Sequence, residues 1–350
     1  MTLKHVLIGL WVCLSLVWVA GYSSTVAAPS EGKQSAKQPE EKQAGKSGQP
    51  KQTNELQPLP EGLGLAAKYP GDKGIEKDPA VVFADDFEDS ASAADLRKKW
   101  DVVIHPGNIS IADESAKNSG KRSLLLTIKK RTSGIATGVA KLLKGKEAQD
   151  VLFLRWYTKF DKDWFVPSGS VHNGGSISSQ YFPGGRATPG VPGNGRNKFL
   201  ANFENENSTG KTPGNMNIYL YHAEQPTRWG DHFYPSGKVL PFSWKRSGTA
   251  TFGKQFVGRP DFSPKRGVWL CYEFMVKANT PGKHDGRIGM WLNGKLIGDF
   301  PNLRMRDIKS LMIDRFGVGV YIAKNTKRTN RKWYDNIVAA TSYIGPMVTK

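Results

Sequence analysis

From Val81 onward, apolar and polar residues alternate along most of the chain. Alternation sends successive side chains to opposite faces of a strand, whereas an amphipathic helix repeats its apolar positions every three or four residues. Strand-length runs of this kind occupy 81–87, 101–105, 123–129, 134–143, 151–160, 268–279, 286–300, 316–322 and 332–341. Turn-forming residues separate them at short intervals, and Asn293-Gly294 is a two-residue hairpin signal. Residues 91–100 (ASAADLRKKW) read as a short helix. Many short strands without intervening helices predict an all-β fold, an antiparallel sandwich of two sheets. No repeat of fixed period is present.

The stretch 196–224 (RNKFLANFENENSTGKTPGNMNIYLYHAE) predicts two strands joined by a Gly/Pro/Asn-rich loop. Lys198, Leu200, Asn202 and Glu204 share one face of the first strand, opposite Phe199, Ala201 and Phe203. On the second, Asn217, Tyr219 and Tyr221 lie opposite Ile218, Leu220 and His222. The polar faces suit either plain solvation or a groove for a sugar polymer, in which tyrosine rings cover apolar sugar faces and leave their hydroxyls available. Two long loops flank this unit, 178–196, dense in Gly and Pro, and 225–238, rich in aromatic and charged residues. Long loops on a rigid sandwich commonly carry binding.

Charge narrows the choice of partner. The formal net charge is +19 over 350 residues. Lys4 is the single charged residue of 1–28, and eight lysines balance eight acids over 29–80, which leaves +18 on residues 81–350. A cationic domain implies an anionic partner. Residues 1–28 read as a secretory leader, with an apolar run from Val6 to Ala20 too short for a comfortable membrane span and cleavage expected after Ala27. Residues 29 to about 60 hold almost nothing apolar and read as a disordered tether, and 61–80 as a transition into a domain over 81–350. Of the two cysteines, Cys13 lies in the leader, so Cys271 alone would remain. No Cys or His spacing suggests zinc.

Several chemistries lack their residues. There is no phosphate-binding loop, and no Gly-x-Ser-x-Gly. Glu204 and Glu206 share one strand face rather than opposing each other across a groove, which argues against glycoside hydrolysis. β-Elimination from a uronate needs a group to neutralise the carboxylate, a base for the proton α to it, and an acid for the leaving oxygen. Arg155 and Lys159 on one strand, His172 in a VHNGG turn, and Lys198, Asn202, Tyr219 and Tyr221 supply those types. No cofactor is required. Asp85 and Asp86 with Asp335 would make a structural calcium site if their strands were neighbours, and three oxygen donors are few for that ion.

The order RWYTKF, HNGG, RNKF, NIYLYH, GVWLCYEFMVKAN, GRIGMWLNGKLIG and WYDNIVAATSYIGP resembles the jelly-roll polysaccharide lyases, in particular the alginate and glucuronan lyase group that includes algal-virus lyases. The resemblance spans roughly 81–346 and is sharpest in the last 80 residues, which define the fold more than the activity. It implies a jelly-roll of concanavalin A-like type and a secreted or cell-envelope enzyme. The family's Tyr-x-Tyr strand matches Tyr219-Leu220-Tyr221; His172-Asn173-Gly174-Gly175 stands where the family has a lysine in a Gly-rich loop; its Ser-x-Arg pair has no counterpart in NKFLANFE. The expected catalytic set is thus Tyr219 and Tyr221 as base and acid, with His172 and Asn202 neutralising the carboxylate. Arg155, Lys159, Lys198 and Arg228 would bind neighbouring acidic sugars. The expected partner is an acidic polysaccharide, taken by a monomer, with neither nucleic acid nor a membrane span involved. The alternative is a non-catalytic carbohydrate-binding or adhesion module on the same fold.

Overall fold

A computed structural model describes residues 56–166, 171–181, 189–206, 212–240, 247–323 and 326–349. The expected leader, most of the tether, and 182–188 of the first long loop lie outside the described residues. In chain order the strands are β1 (Val81–Asp85), β2 (Val102–Ile104), β3 (Ile109–Ala112), β4 (Ser123–Ile128), β5 (Ile135–Leu142) and β6 (Val151–Phe160). Next come β7 (Val171–His172), β8 (Gly175–Ser179), β9 (Phe199–Glu206), β10 (Asn215–Tyr221), β11 (Asp231–Phe233) and β12 (Val239–Leu240). β13 (Leu270–Lys277), β14 (Gly286–Leu292), β15 (Lys295–Leu303), β16 (Arg315–Ile322) and β17 (Asn330–Ala340) complete the set.

They form two antiparallel sheets packed as a jelly-roll sandwich. Sheet A runs β15-β14-β13-β6-β17-β4-β3, with β1 also on β17; sheet B runs β12-β11-β10-β9-β8-β16-β5-β2, with β7 also on β16. The 196–224 unit is β9 and β10, paired with Tyr219 opposite Asn202. Asn293 and Gly294, at φ 51° and 81°, turn the β14–β15 hairpin in the left-handed conformation that such a turn demands. The expected helix over 91–100 is a 3-10 turn, Asp95–Lys98. It packs through Leu96 and Trp100.

Alternation decides which side chains meet. Leu152, Leu154, Trp156 and Phe160 of β6 face Phe199, Ala201 and Phe203 of β9 and Ile218 and Leu220 of β10 in one core. The Phe203 ring lies 5.0 Å from Tyr272 and 5.8 Å from Trp156. The HNGG turn exists because of this packing: a Cβ on Gly174 would come within 1.8 Å of the Phe203 carbonyl oxygen, and one on Gly175 within 2.6 Å of the Trp156 ring.

Residues 56–80 are packed along the outer face of sheet A. Trp291 Nε1 donates to the Pro60 carbonyl at 2.7 Å, and Leu65, Ala66 and Ile75 join Phe153, Met275, Trp291 and Tyr343 in a second apolar cluster. Asp72 of this strap pairs with the buried guanidinium of Arg155. Asp85 accepts hydrogen bonds from Lys99 and Trp100, while Asp335 accepts from the Ala116 amide. β1 and β17 are neighbours, with Asp85 opposite Ile337, and burial, helped by the nearby charges of Asp86 and Glu88, raises the Asp335 carboxyl well above its ordinary value. Among the described residues no group of three or more His, Cys, Asp or Glu is placed to hold a metal ion, and no helix is long and apolar enough to cross a membrane.

Candidate active site

The outer face of sheet B gathers the polar side of β9 and β10. Small residues make its floor. Ala136, Gly138 and Ala140 of β5, Gly317 and Gly319 of β16 and Ser176 of β8 line a depression of about 150 Å³. His172, Asn202, Glu204, Arg315 and Tyr321 stand around it.

Lys198 enters β9 with its side chain buried, its Nζ 4.1 Å from the centre of the Tyr221 ring and 4.6 Å from that of Tyr181. Burial disfavours the ammonium and pulls its pKa down to about 8. The Tyr219 and Tyr221 rings meet edge to face at 5.5 Å, with their hydroxyls 3.4 Å apart. Two loops close over them. The Gly230 amide donates to the Tyr219 hydroxyl at 3.1 Å and the Gly190 amide to the Tyr221 hydroxyl at 3.2 Å. Burial, and then the neighbouring Tyr221, raise the Tyr219 pKa above the usual phenolic value.

His172 lies between the Tyr219 and Tyr321 rings, 4.6 and 5.8 Å away, with Nδ1 2.9 Å from the wholly buried Glu204 carboxylate. Burial alone would lower the imidazole pKa; the charge and hydrogen bond of Glu204 outweigh it, and the net direction is up. His232 behaves oppositely. Its Nδ1 sits 2.9 Å from Asn217 Oδ1, and burial, reinforced by the charge of His172, pulls it down to about 3, so it is neutral at physiological pH.

Five of the expected residues therefore share one face: His172, Lys198, Asn202, Tyr219 and Tyr221. Arg228 sits at the rim, exposed, its guanidinium 5.1 Å from the Trp229 ring in the loop that caps Tyr219. Arg155 and Lys159 are elsewhere. Both belong to the outward parity of β6, so they point off sheet A on the far side of the core, where Arg155 pairs with Asp72 and Lys159 with Glu114. Their alternation was legible, but which sheet would carry β6 was not. Sequence reasoning passed over Tyr181, His232, Arg315 and Tyr321. The small-residue alternation Ala136-x-Gly138-x-Ala140 and Gly317-x-Gly319 was the signal that two strands leave space between them.

No protein-family profile matches the chain, and no curated protein matches it in sequence. Similar solved structures do exist. An alginate lyase variant in complex with alginate trisaccharide aligns at a TM-score of 0.53 and 18% identity, covering 75% of this chain and 98% of that one. An alginate lyase from Aplysia kurodai aligns at 0.52 and 15% identity, covering 75% and 99%. At such identities the likeness speaks to the fold: this chain folds as those lyases do.

Proposed function

We propose that the chain is a polysaccharide lyase that cleaves a uronate-containing polymer by β-elimination on the outer face of sheet B. The observation that carries this reading is the placement of a buried lysine with pKa near 8 against a pair of tyrosines whose hydroxyls nearly touch, beside a depression edged by Arg315, Asn202 and His172. In the reaction, neutral Lys198 takes the proton α to the carboxylate. The electron pair left behind forms the C4–C5 double bond as the bond to the 4-linked oxygen breaks. Tyr219, whose raised pKa keeps it protonated, supplies the proton to that oxygen through the Tyr219–Tyr221 hydroxyl pair. Asn202, His172 and Arg315 stabilise the charge that grows on the carboxylate. Relative to the expectation of tyrosine as both base and acid, this moves the base to Lys198. The alginate lyase neighbours support a uronate substrate, and the leader read over 1–28 supports a secreted or cell-envelope location.

One observation favours the second reading, a binding module without turnover. Both tyrosine hydroxyls are engaged by loop amides, and the rings are almost wholly covered. Cleavage requires those loops to move aside; binding on the rim does not. The deciding experiment mixes the purified full chain with alginate, glucuronan, pectate and hyaluronan and follows the ultraviolet absorbance of unsaturated uronates. A rise with one polymer establishes the lyase. A flat trace with all of them, from folded protein that binds the polymer, establishes the module.

A further inference from the structure

Part of the domain's +18 gathers away from the depression, at one end of sheet A. Of four adjacent strands, β6 and β4 end there and β13 and β17 begin there, side by side. Their terminal segments are 264–267, 161–166, 326–331 and 129–134. Together these carry eight exposed Lys and Arg side chains against two aspartates, Asp161 and Asp163. The Asp161 carboxylate is 3.5 Å from Arg331, so one acid is already matched.

The backbone holds this concentration in place. Arg131 and Thr326 exchange amide-to-carbonyl hydrogen bonds at 3.3 and 3.0 Å, and the Asp161 amide donates to the Arg331 carbonyl at 3.0 Å. The Gly267 amide donates to the Phe160 carbonyl at 2.8 Å, and Arg266 reaches the Trp164 carbonyl at 2.8 Å. Like charges gathered on fixed loops repel one another, and an anionic ligand relieves that repulsion. Adjacent strands lie ~4.8 Å apart, so the four cation-bearing segments follow one another across the end of the sheet. Among the described residues of these segments no large apolar side chain is exposed, and Val268, just beyond them, offers a bilayer little to bury.

We propose that this row is a second, non-catalytic binding surface for a linear acidic polysaccharide. It rests on the lyase reading above, and extends it: the polymer is gripped at the strand ends of sheet A as well as on the face of sheet B. Long chains then bind more tightly than oligosaccharides that fill the depression alone.

The test compares the full chain with K129Q/K130Q/K162Q/K327Q, whose four side chains are exposed. Affinity for polymeric alginate and for alginate trisaccharide is measured over a range of salt, alongside thermal unfolding. About a tenfold loss for the polymer is expected, with a shallower salt dependence and unchanged trisaccharide affinity and melting temperature. The pair K129Q/K130Q should give an intermediate loss. Unchanged polymer affinity in the quadruple variant overturns the proposal, as does selective loss of duplex-DNA binding with polymer binding intact. If the unaltered chain binds trisaccharide and polymer equally, the second surface falls and the depression stands. If it binds neither of these, nor glucuronan, pectate or hyaluronan, the lyase reading itself falls.

Discussion

Lys198 sets the sharpest test of the proposed chemistry. A base must be neutral to accept a proton, and burial holds this amine near pKa 8 instead of the ordinary 10.5. At pH 7 about one molecule in ten then carries the neutral amine, and at pH 6 about one in a hundred. With uronate substrate, kcat/KM should climb about tenfold per pH unit through this range and level off above about 8. Lys198→Arg keeps a cation on the strand but removes the base, because guanidinium stays protonated. Turnover should fall by roughly a hundredfold or more, the alkaline rise should vanish, and polymer binding should remain. Lys198→Met should lose turnover equally while gaining stability at neutral pH. In the folded lysine protein the proton is held less tightly than in the unfolded chain, so its stability is depressed below about pH 8 and recovers as pH rises toward 10.5. Initial rates across pH 5.5 to 9, with thermal unfolding on the same samples, measure both effects. A flat profile below pH 8, or Lys198→Arg retaining more than about a tenth of the activity, would refute the assignment.

Three further outcomes concern the sandwich itself. Asp72→Asn leaves the Arg155 guanidinium buried without its carboxylate, and should cost about 3 kcal/mol in chemical denaturation. Polymer affinity should not change; a loss of affinity without loss of stability would return Arg155 to the binding surface. Phe203→Ala removes the ring that meets Trp156 and Tyr272 between the sheets, and should destabilise by about 3–5 kcal/mol; a cost below about 1 kcal/mol would show that the core collapses around it. Burial pushes the Glu273 carboxyl up to about 7, against the Ile344 and Gly345 amides that donate to it. The folded state therefore holds this proton more tightly than the unfolded chain, and stability should decline from about pH 4.5 to about 7. Glu273→Gln should flatten that slope, and equal slopes in the two proteins would exclude Glu273 as its source.

The sandwich was legible because alternation is strong wherever one face is buried, as in Phe199, Ala201 and Phe203 of β9. The Lys198–Glu204 and Asn217–Tyr221 faces followed from the same parity. Short strands were not legible. Val171–His172, Asp231–Phe233 and Val239–Leu240 are too brief to show a period, and their places depend on partners far along the chain. The assignment of strands to sheets was equally hidden. β6 alternates as clearly as β9, yet its outward residues, Arg155 and Lys159, serve ion pairs on the opposite side of the molecule. The strap over 56–80 escaped notice because its apolar residues are sparse: Leu65, Ala66 and Ile75 matter only against Phe153 and Trp291 on the sheet beneath.

The interior beneath the depression is polar where a sandwich core need not be. Lys332, on the inward parity of β17, is fully buried and donates to the Asn173 carbonyl. The Asn173 side chain donates to the Asn205 carbonyl at 2.8 Å and accepts from the Asn205 amide at 3.3 Å, and the Tyr272 hydroxyl donates to Asn205 Oδ1 at 3.2 Å. Burial drives the Lys332 pKa well below the ordinary lysine value, which is a cost that methionine at this position would avoid. What the network fixes is the turn that carries His172. That turn is locked by Gly174 against Phe203 and by Asn173 against β9 and β17, so the imidazole meets Glu204 on the strand that Lys198 precedes. Stability is given up beneath the surface that carries Lys198, Tyr219, Tyr221 and His172, whereas the guanidinium buried under the strap on sheet A, that of Arg155, is matched by the Asp72 carboxylate.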